Sequence, residues 1–113
     1  MNEKKRSISI LELKALMDAQ KVIVIDIRTV EEFEEGHIWN SIHRPIDSLP
    51  NSVRDLPEES LLITVCNKGG GRSERAAEIL RAAGWKNVNW LEGGYLGWVE
   101  AGLPDYEPGF VSS

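Results

Sequence analysis

The chain has 113 residues, a formal net charge of −5 and a single cysteine. This length fits one domain, since domains typically run to about 100–150 residues. The acidic charge argues against broad binding to nucleic acid or to an anionic membrane surface. A lone cysteine forms no internal disulfide, no apolar run is long enough to span a bilayer, and the charged start "MNEKKRS" is unlike a signal peptide. We therefore predict a cytoplasmic protein with no nucleic-acid or membrane partner.

The two ends of the chain differ in composition from the rest. "MNEKKR" is charged, and "PDYEPGFVSS" carries two prolines and several small residues. Such segments tend to fray or to lie across a surface. We predict one domain over residues 1–113, with loosely ordered ends at 1–6 and 105–113.

The first predicted element is a helix over Ile10–Ala19. Ser9 and Glu12 have the spacing of a capping box, and apolar residues follow them at helical period. The β-branched run "VIVIDI", residues 22–27, is typical of a strand buried on both faces of a parallel sheet. Next, "TVEEFEEGHI" predicts a short acidic helix that Gly36 ends, and "SIHRPI" predicts a short strand.

The second half of the chain continues the alternation of elements. "LPNSVRDLPEE" is predicted to be an irregular segment with a proline near each end. Ser60–Val65 predicts a second buried strand. A helix is predicted over Ser73–Ala83, closed by Gly84, followed by a strand at "NVNWL" and a short helix at "GGYLGWVEAG". Alternating strands and helices imply an α/β fold, with a parallel sheet and helices on both of its faces.

Cys66 lies where the second buried strand gives way to a helix, which is where the ligand crevice of a parallel sheet lies. Three glycines nearby allow the backbone to curl with its N–H groups pointing inward, and the helix N-terminus adds partial positive charge. Lys68 and Arg72 add two full charges. A cysteine that only fills a core needs none of these features. We therefore predict an exposed Cys66, reactive as the thiolate, in an anion-binding loop.

Four segments occur in a recognisable order: "VIDIRTVEEFEEGHI", "VCNKGGGRSERAAEIL", "NVNWLEGGYLGW" and "AGLP". Together they span nearly the whole chain and resemble a single-domain rhodanese, the family that carries sulfane sulfur as a cysteine persulfide. The resemblance implies a five-stranded parallel sheet flanked by helices, with Cys66 as the sulfur acceptor. It makes the loop from Cys66 to Arg72 the active site. We predict that the anionic substrate binds to the residues that follow the cysteine: Asn67, Lys68, Gly69, Gly70, Gly71, Arg72 and Ser73.

The chain departs from the family pattern in two places. Typical sulfurtransferases have four residues between the cysteine and the loop arginine, whereas residues 67–71 make five. The longer loop resembles that of the cell-cycle dual-specificity phosphatases and related arsenate reductases, where it wraps a tetrahedral oxyanion. Its glycines supply no general acid, which favours a sulfurtransferase. The second departure is Trp39 and Asn40, which replace the usual proline and small residue and are expected to alter the rim of the site.

The predicted function is sulfur transfer from a small anionic donor such as thiosulfate, through a Cys66 persulfide, to a thiol or cyanide-like acceptor, including a protein acceptor. One alternative is a cysteine-dependent phosphatase or arsenate reductase that uses the C-x5-R loop. Another is a non-catalytic binding or sensing module. No cofactor and no metal is predicted, because His37 and His43 lie apart from each other and from the cysteine, which favours structural roles for both.

Charged residues outside the loop receive structural assignments. Asp26 and Arg28 are predicted to form an ion pair that braces neighbouring loops rather than to act in catalysis. The acidic run "EEFEE" is predicted to be a solvated helix face. Arg72 is assigned to the anionic donor, and the alternative is that it pairs with Glu31 or Glu32 and fixes the loop against the acidic helix.

Overall fold

The computed structural model describes residues 6–106. The strands are β1 (Ser7–Ile8), β2 (Ile23–Asp26), β3 (His37–Ile38), β4 (Ile42–His43), β5 (Leu62–Val65), β6 (Val88–Leu91) and β7 (Asp105–Tyr106). The helices are α1 (Ile10–Asp18), α2 (Val30–Glu35), α3 (Gly71–Ala82) and α4 (Gly94–Glu100). Two short 3₁₀ turns, Ile46–Ser48 and Asn51–Val53, lie between β4 and β5.

Five strands form one sheet in the order β1-β6-β5-β2-β4, and every neighbouring pair is parallel. The register of β2 places Asp26 beside His43 of β4 on one side and Val65 of β5 on the other. β3 and β7 form a separate antiparallel pair. The predicted α/β class, a five-stranded parallel sheet with helices, is confirmed. The ends of β2 and β5 meet at the C-terminal edge of the sheet, where the candidate site lies.

The core lies on both faces of the sheet because successive side chains of a strand point to opposite faces. Ile25 and Leu62 belong to a cluster that includes the apolar side chains of α3. Their chain neighbours Val24 and Ile63 belong to a second cluster with Leu13 of α1 and Trp98 of α4. Continuous apolar runs are therefore required in β2 and β5, as the sequence predicted.

Capping boxes begin the first two helices. The Ser9 hydroxyl accepts a hydrogen bond from the Glu12 backbone N–H at 3.1 Å, and the Glu12 carboxylate accepts one from the Ser9 N–H at 2.8 Å. Thr29 and Glu32 form the same reciprocal pair at α2, which ends at Gly36 as predicted. Both motifs satisfy N–H groups that would otherwise lack partners at the helix start.

α3 begins at Gly71, two residues before the predicted start at Ser73. Gly70 is the N-cap, and its φ of 65° is a left-handed value that favours glycine. The third glycine of the loop therefore belongs to the helix.

The chain ends contain two strands, β1 and β7, that were not predicted from the sequence. β1 pairs with β6, and β7 pairs with β3, so Asp105 and Tyr106 form a strand where a loose tail was predicted. The remaining residues of the predicted ends, 1–5 and 107–113, lie outside the described residues. Within 6–106, no helix combines the length and the apolar character needed to span a bilayer.

Candidate active site

Cys66 directly follows β5, and it begins a loop that leads into α3. We call this loop, residues 66–70, the cysteine loop. A pocket of about 280 Å³ opens at this point, lined by Cys66, Asn67, Lys68, Gly69 and Arg72. The structure thus brings five of the predicted site residues to one cavity. The other three, Gly70, Gly71 and Ser73, form the cap and first turn of α3.

The Cys66 side chain is buried, so the prediction that it is exposed is wrong. The residue is 4% exposed and belongs to the core cluster on the α3 side of the sheet. Its sulfur lies 3.5 Å from the Gly70 carbonyl oxygen and 3.3 Å from the Ser73 Oγ, so the one S–H can donate to either of these oxygens. The alternation of β5 directs this side chain under the first turn of α3. A reagent must therefore enter through the pocket to reach the sulfur.

The three loop glycines have positive φ values of 87°, 65° and 41° at Gly69, Gly70 and Gly71. Residues with a Cβ adopt such angles at a cost, so the curled backbone explains the glycine run. Gly69 has a second requirement. A Cβ there would lie 2.7 Å from the Gly93 nitrogen and 2.9 Å from the Leu91 carbonyl oxygen. The loop is therefore packed tightly against the turn between β6 and α4.

The first turn of α4 is hydrogen-bonded to the backbone of the cysteine loop. The Tyr95 N–H donates to the Cys66 carbonyl at 2.8 Å, and the Leu96 N–H donates to the Asn67 carbonyl at 3.0 Å. A Cβ on Gly94 would lie 2.5 Å from both carbonyl oxygens. This glycine pair lies in the segment "NVNWLEGGYLGW", and no role was predicted for it from the sequence. Two adjacent glycines, one residue after the strand at "NVNWL", were the available signal for a close backbone approach.

The Asp26–Arg28 pair is the buried brace of the site, as the sequence predicted. Arg28 is 3% exposed, and its Nε and Nη2 donate to the Asp26 carboxylate at 2.9 and 2.8 Å. Its guanidinium also donates to the Gly36 carbonyl at 2.7 Å and to the Asn67 Oδ1 at 3.0 Å. The guanidinium carbon lies 4.5 Å from the centre of the Tyr95 ring. One buried cation therefore connects β2, the end of α2, the cysteine loop and α4.

Arg72 pairs with Glu32 of α2, which is the structural alternative raised for this residue. Its Nη1 and Nη2 donate to the two carboxylate oxygens of Glu32 at 2.9 and 3.1 Å. The Asn67 side-chain amide donates to the same carboxylate at 3.0 Å. Glu32 is therefore part of the site, and the prediction of a solvated face for "EEFEE" is wrong at this residue.

Lys68 differs from Arg72 in its surroundings. It is exposed, it lines the pocket, and its ammonium forms no ion pair within residues 6–106. Because Glu32 balances the charge of Arg72, Lys68 supplies the uncompensated positive charge among the residues that line this pocket.

The Glu32–Arg72 pair predicts a pH-dependent contribution to stability. Hydrogen bonds from Arg72 lower the pKa of Glu32 from 4.5 to about 2, and the pairing raises the pKa of Arg72. A carboxyl group whose pKa is lower in the folded state stabilises that state above its unfolded pKa. This contribution should be complete above pH 4.5 and be lost as the pH falls toward 2. The contribution to stability should be modest, because the Arg72 side chain is 41% exposed and the Glu32 side chain is 27% exposed.

The measurement is the free energy of unfolding in denaturant, followed from neutral pH downward, for the wild type and Glu32→Gln. The wild type should be the more stable protein at neutral pH, and the two values should converge as Glu32 becomes protonated. Glu34→Gln, on the exposed side of the same helix, is the control for charge removal. A difference between wild type and Glu32→Gln that stays constant down to low pH would contradict the assigned pairing.

The two histidines have structural surroundings, as the sequence predicted. His37 Nδ1 lies 2.8 Å from the Phe33 carbonyl oxygen, and its ring stacks on Phe33 at 3.6 Å between centroids. His43 Nε2 lies 2.8 Å from the Arg28 carbonyl oxygen, and its ring lies 4.5 Å from the Phe33 ring. Within the described part of the chain, no group of histidine, cysteine and acidic side chains could hold a metal ion.

Trp39 and Asn40 do not line the Cys66 pocket, so the prediction that they alter its rim is wrong. They line a separate cavity of about 170 Å³ beside the last turn of α1. The Trp39 N–H donates to the Pro104 carbonyl at 3.2 Å. Since β3 pairs with β7 and not with the main sheet, the residues after it are directed away from the cysteine loop.

Comparison with known proteins is consistent across sequence and structure. The family model described as a rhodanese-like domain matches residues 9–101. A sulfurtransferase from Allochromatium vinosum is 31% identical over 93 residues, covering 82% of this chain and 86% of that protein. The thiosulfate sulfurtransferase GlpE from Tolumonas auensis is 30% identical over 80% of this chain and 85% of its own length. The crystal structure of a rhodanese-related protein from Thermoplasma volcanium has a TM-score of 0.79 at 33% identity, covering 89% of this chain and 97% of that one.

The matched residues include β2, α2, β5, α3 and α4, which are the elements that build the pocket and its brace. The relatives named above are covered over most of their own length, so the likeness concerns whole domains and not a shared fragment. The chain therefore belongs to the rhodanese-like domain family, in which its relatives include sulfurtransferases.

Proposed function

We propose that the protein transfers sulfane sulfur from thiosulfate or a similar anionic donor to a thiol or cyanide-like acceptor, through a persulfide on Cys66. The observation that carries this proposal is that Cys66 lines a pocket whose other lining residues include the cationic Lys68 and Arg72. The named sulfurtransferase relatives support it. We further propose that the protein acts in the cytoplasm, where a reducing environment keeps a lone thiol free.

The first half-reaction places the outer sulfur of thiosulfate on the cysteine. The Cys66 thiolate attacks that sulfur, a new S–S bond forms, and the bond to the sulfonate sulfur breaks. The electron pair of the broken bond leaves with sulfite, which is a stable anion and needs no strong acid. The thiol proton passes to solvent before the attack, and the Ser73 hydroxyl, 3.3 Å from the sulfur, is placed to hydrogen-bond to the resulting thiolate.

The second half-reaction returns the enzyme to its starting state. Cyanide, or the thiolate of an acceptor, attacks the terminal sulfur of the persulfide and takes it as thiocyanate or as a new persulfide. The Cys66 thiolate is the leaving group. Lys68 attracts the anionic donor, Arg72 offers it the N–H groups that Glu32 does not use, and the N-terminus of α3 adds partial positive charge near the sulfur.

The second candidate function is that of a phosphatase or an arsenate reductase, because the chain has a C-x5-R loop. Hydrolysis of a phosphate ester needs an acid to protonate the leaving alcohol. Glu32, the carboxyl group that contacts Arg72, has a pKa of about 2 and is therefore ionised at neutral pH. Asp26 is fully buried and engaged by Arg28. Neither carboxyl group suits this role, whereas persulfide transfer from thiosulfate needs no such acid.

Parallel turnover assays separate these functions. Wild-type protein should form thiocyanate from thiosulfate and cyanide, while an aryl phosphate and arsenate should give no turnover above that of Cys66→Ser. Replacing this small buried thiol with a hydroxyl preserves the volume of the side chain, and far-ultraviolet circular dichroism checks the fold of the variant. Cys66-dependent turnover of the phosphate or of arsenate alone would overturn the proposal. Inactivity with every substrate would favour a binding or sensing module.

A further inference from the structure

We propose that Glu32 is a positioning residue for the anionic donor, acting through Arg72 and Asn67. The identity of the donor rests on the proposed function, but the inference concerns the anion site itself. The Glu32 carboxylate receives hydrogen bonds from Arg72 at the start of α3 and from Asn67 in the cysteine loop. Both donors line the Cys66 pocket. One acidic side chain on a neighbouring helix therefore orients two of the groups that a bound anion would meet.

Glu32 is itself held rigidly. Its Oε1 accepts hydrogen bonds from the Thr29 N–H at 2.9 Å and the Thr29 hydroxyl at 3.2 Å, within the capping box of α2. The same oxygen accepts from the Arg72 Nη1, and Oε2 accepts from the Arg72 Nη2 and the Asn67 amide. A carboxylate fixed by its own helix cap can transmit that fixed position to the side chains that it binds.

The orientation of the Asn67 side chain is set from both sides. Its Nδ2 donates to Glu32, while its Oδ1 accepts from the Nη1 of Arg28 at 3.0 Å. Arg28 is in turn held by the buried Asp26 carboxylate. Asn67 is the first residue of the longer loop, so this chain of contacts connects the loop to β2 and to α2 at once.

Arg72 keeps part of its donor capacity while it is held. A guanidinium has five N–H donors, and the bidentate pair with Glu32 uses one on each Nη. Nε and the second hydrogen of each Nη have no partner within the described residues. The conformational entropy of ordering this long side chain is therefore lost before an anion binds, which favours binding. The negative charge of Glu32 opposes the binding of an anion, and we expect the favourable effect of positioning Arg72 and Asn67 to be the larger of the two.

Glu32→Gln tests the positioning of Arg72 and Asn67 while it preserves the role of residue 32 in the helix cap. Glutamine also serves in a capping box, so the amide keeps an oxygen for the Thr29 N–H. The variant removes the charge that holds Arg72 in its bidentate geometry. Glu31→Gln is the matched control, because it removes the same charge from the adjacent, exposed position of α2.

The test measures anion binding without chemistry. In a Cys66→Ser background, calorimetric titration with thiosulfate, and separately with sulfate, gives a Kd at a temperature where every variant is folded. Glu32→Gln should raise both Kd values on the order of tenfold, and Glu31→Gln should leave them nearly unchanged. In the protein that retains Cys66, Glu32→Gln should raise KM for thiosulfate by a similar factor and leave kcat nearly unchanged.

Each outcome decides the proposal. An unchanged or smaller Kd in Glu32→Gln would show that Glu32 is neutral or sequesters Arg72, and would overturn the inference. An absence of anion binding in the Cys66→Ser parent would overturn it as well. A loss of melting temperature with an unchanged Kd would leave Glu32 a purely structural role, which also contradicts the proposal. Because sulfate binding needs no sulfur transfer, the Kd values still test the role of Glu32 even if no persulfide forms on Cys66.

Discussion

Replacing Gly94 with alanine should destabilise the protein by about 2–5 kcal/mol and disturb the cysteine loop. Two costs combine at this residue. Its φ of 62° lies in the left-handed region, and the new Cβ would lie 2.5 Å from the carbonyl oxygens of Cys66 and Asn67. These carbonyls accept hydrogen bonds from the N–H groups of Tyr95 and Leu96. Relief of the clash would therefore break the hydrogen bonds that join α4 to the cysteine loop. Denaturant unfolding gives the change in the free energy of unfolding.

Gly102→Ala is the matched control for backbone conformation. Gly102 has a similar φ of 74°, and a Cβ there would meet nothing within 4 Å. Its replacement should cost only the left-handed conformation, about 1–2 kcal/mol. If Gly94→Ala is no more destabilising than Gly102→Ala, the close approach of α4 to the cysteine loop is not important for stability.

The second large effect is expected for Arg28→Ala, at about 3–5 kcal/mol of lost stability. The substitution leaves Asp26, which is fully buried, without the cation that it faces. It also removes the hydrogen bonds to the Gly36 carbonyl and to Asn67. A buried charge that loses its partner keeps the full cost of leaving water. The free energy of unfolding in denaturant measures this loss.

An exposed ion pair in the same protein provides the comparison for Arg28. Lys14 and Asp18 of α1 pair at 2.8 Å, with side chains that are 32% and 63% exposed. Lys14→Ala should therefore change stability by at most about 0.5 kcal/mol. Equal losses for Arg28→Ala and Lys14→Ala would contradict the description of Arg28 as the buried brace of the site.

Much of the fold could be predicted because local signals and burial agree. The Ser9 and Glu12 capping box predicted the start of α1, and the apolar runs predicted β2 and β5 within two residues. β1 and β7 could not be predicted in the same way. Each has only two residues, too few for a hydrophobic period, and their pairing depends on partners far away in the chain.

The site was predicted in its location but not in its contacts. The strand end, the glycines and the family resemblance placed Cys66 at a pocket, and the structure agrees. The burial of its sulfur depends on the direction of the β5 side chains and on the Gly70 carbonyl, which no residue pattern specifies. Similarly, four acidic residues of α2 look alike in sequence. Only the packing of α2 against the cysteine loop selects Glu32 as the partner of Arg72.

The most direct test of the central claim is the intact mass of the protein after incubation with thiosulfate. Wild-type protein should gain one sulfur atom, cyanide should remove it, and Cys66→Ser should show no gain under the same conditions. Because Cys66 is the only cysteine in the chain, a gain of sulfur has a single expected site. A folded wild-type protein that gains no sulfur, yet turns over an aryl phosphate or arsenate in a Cys66-dependent manner, would contradict the account.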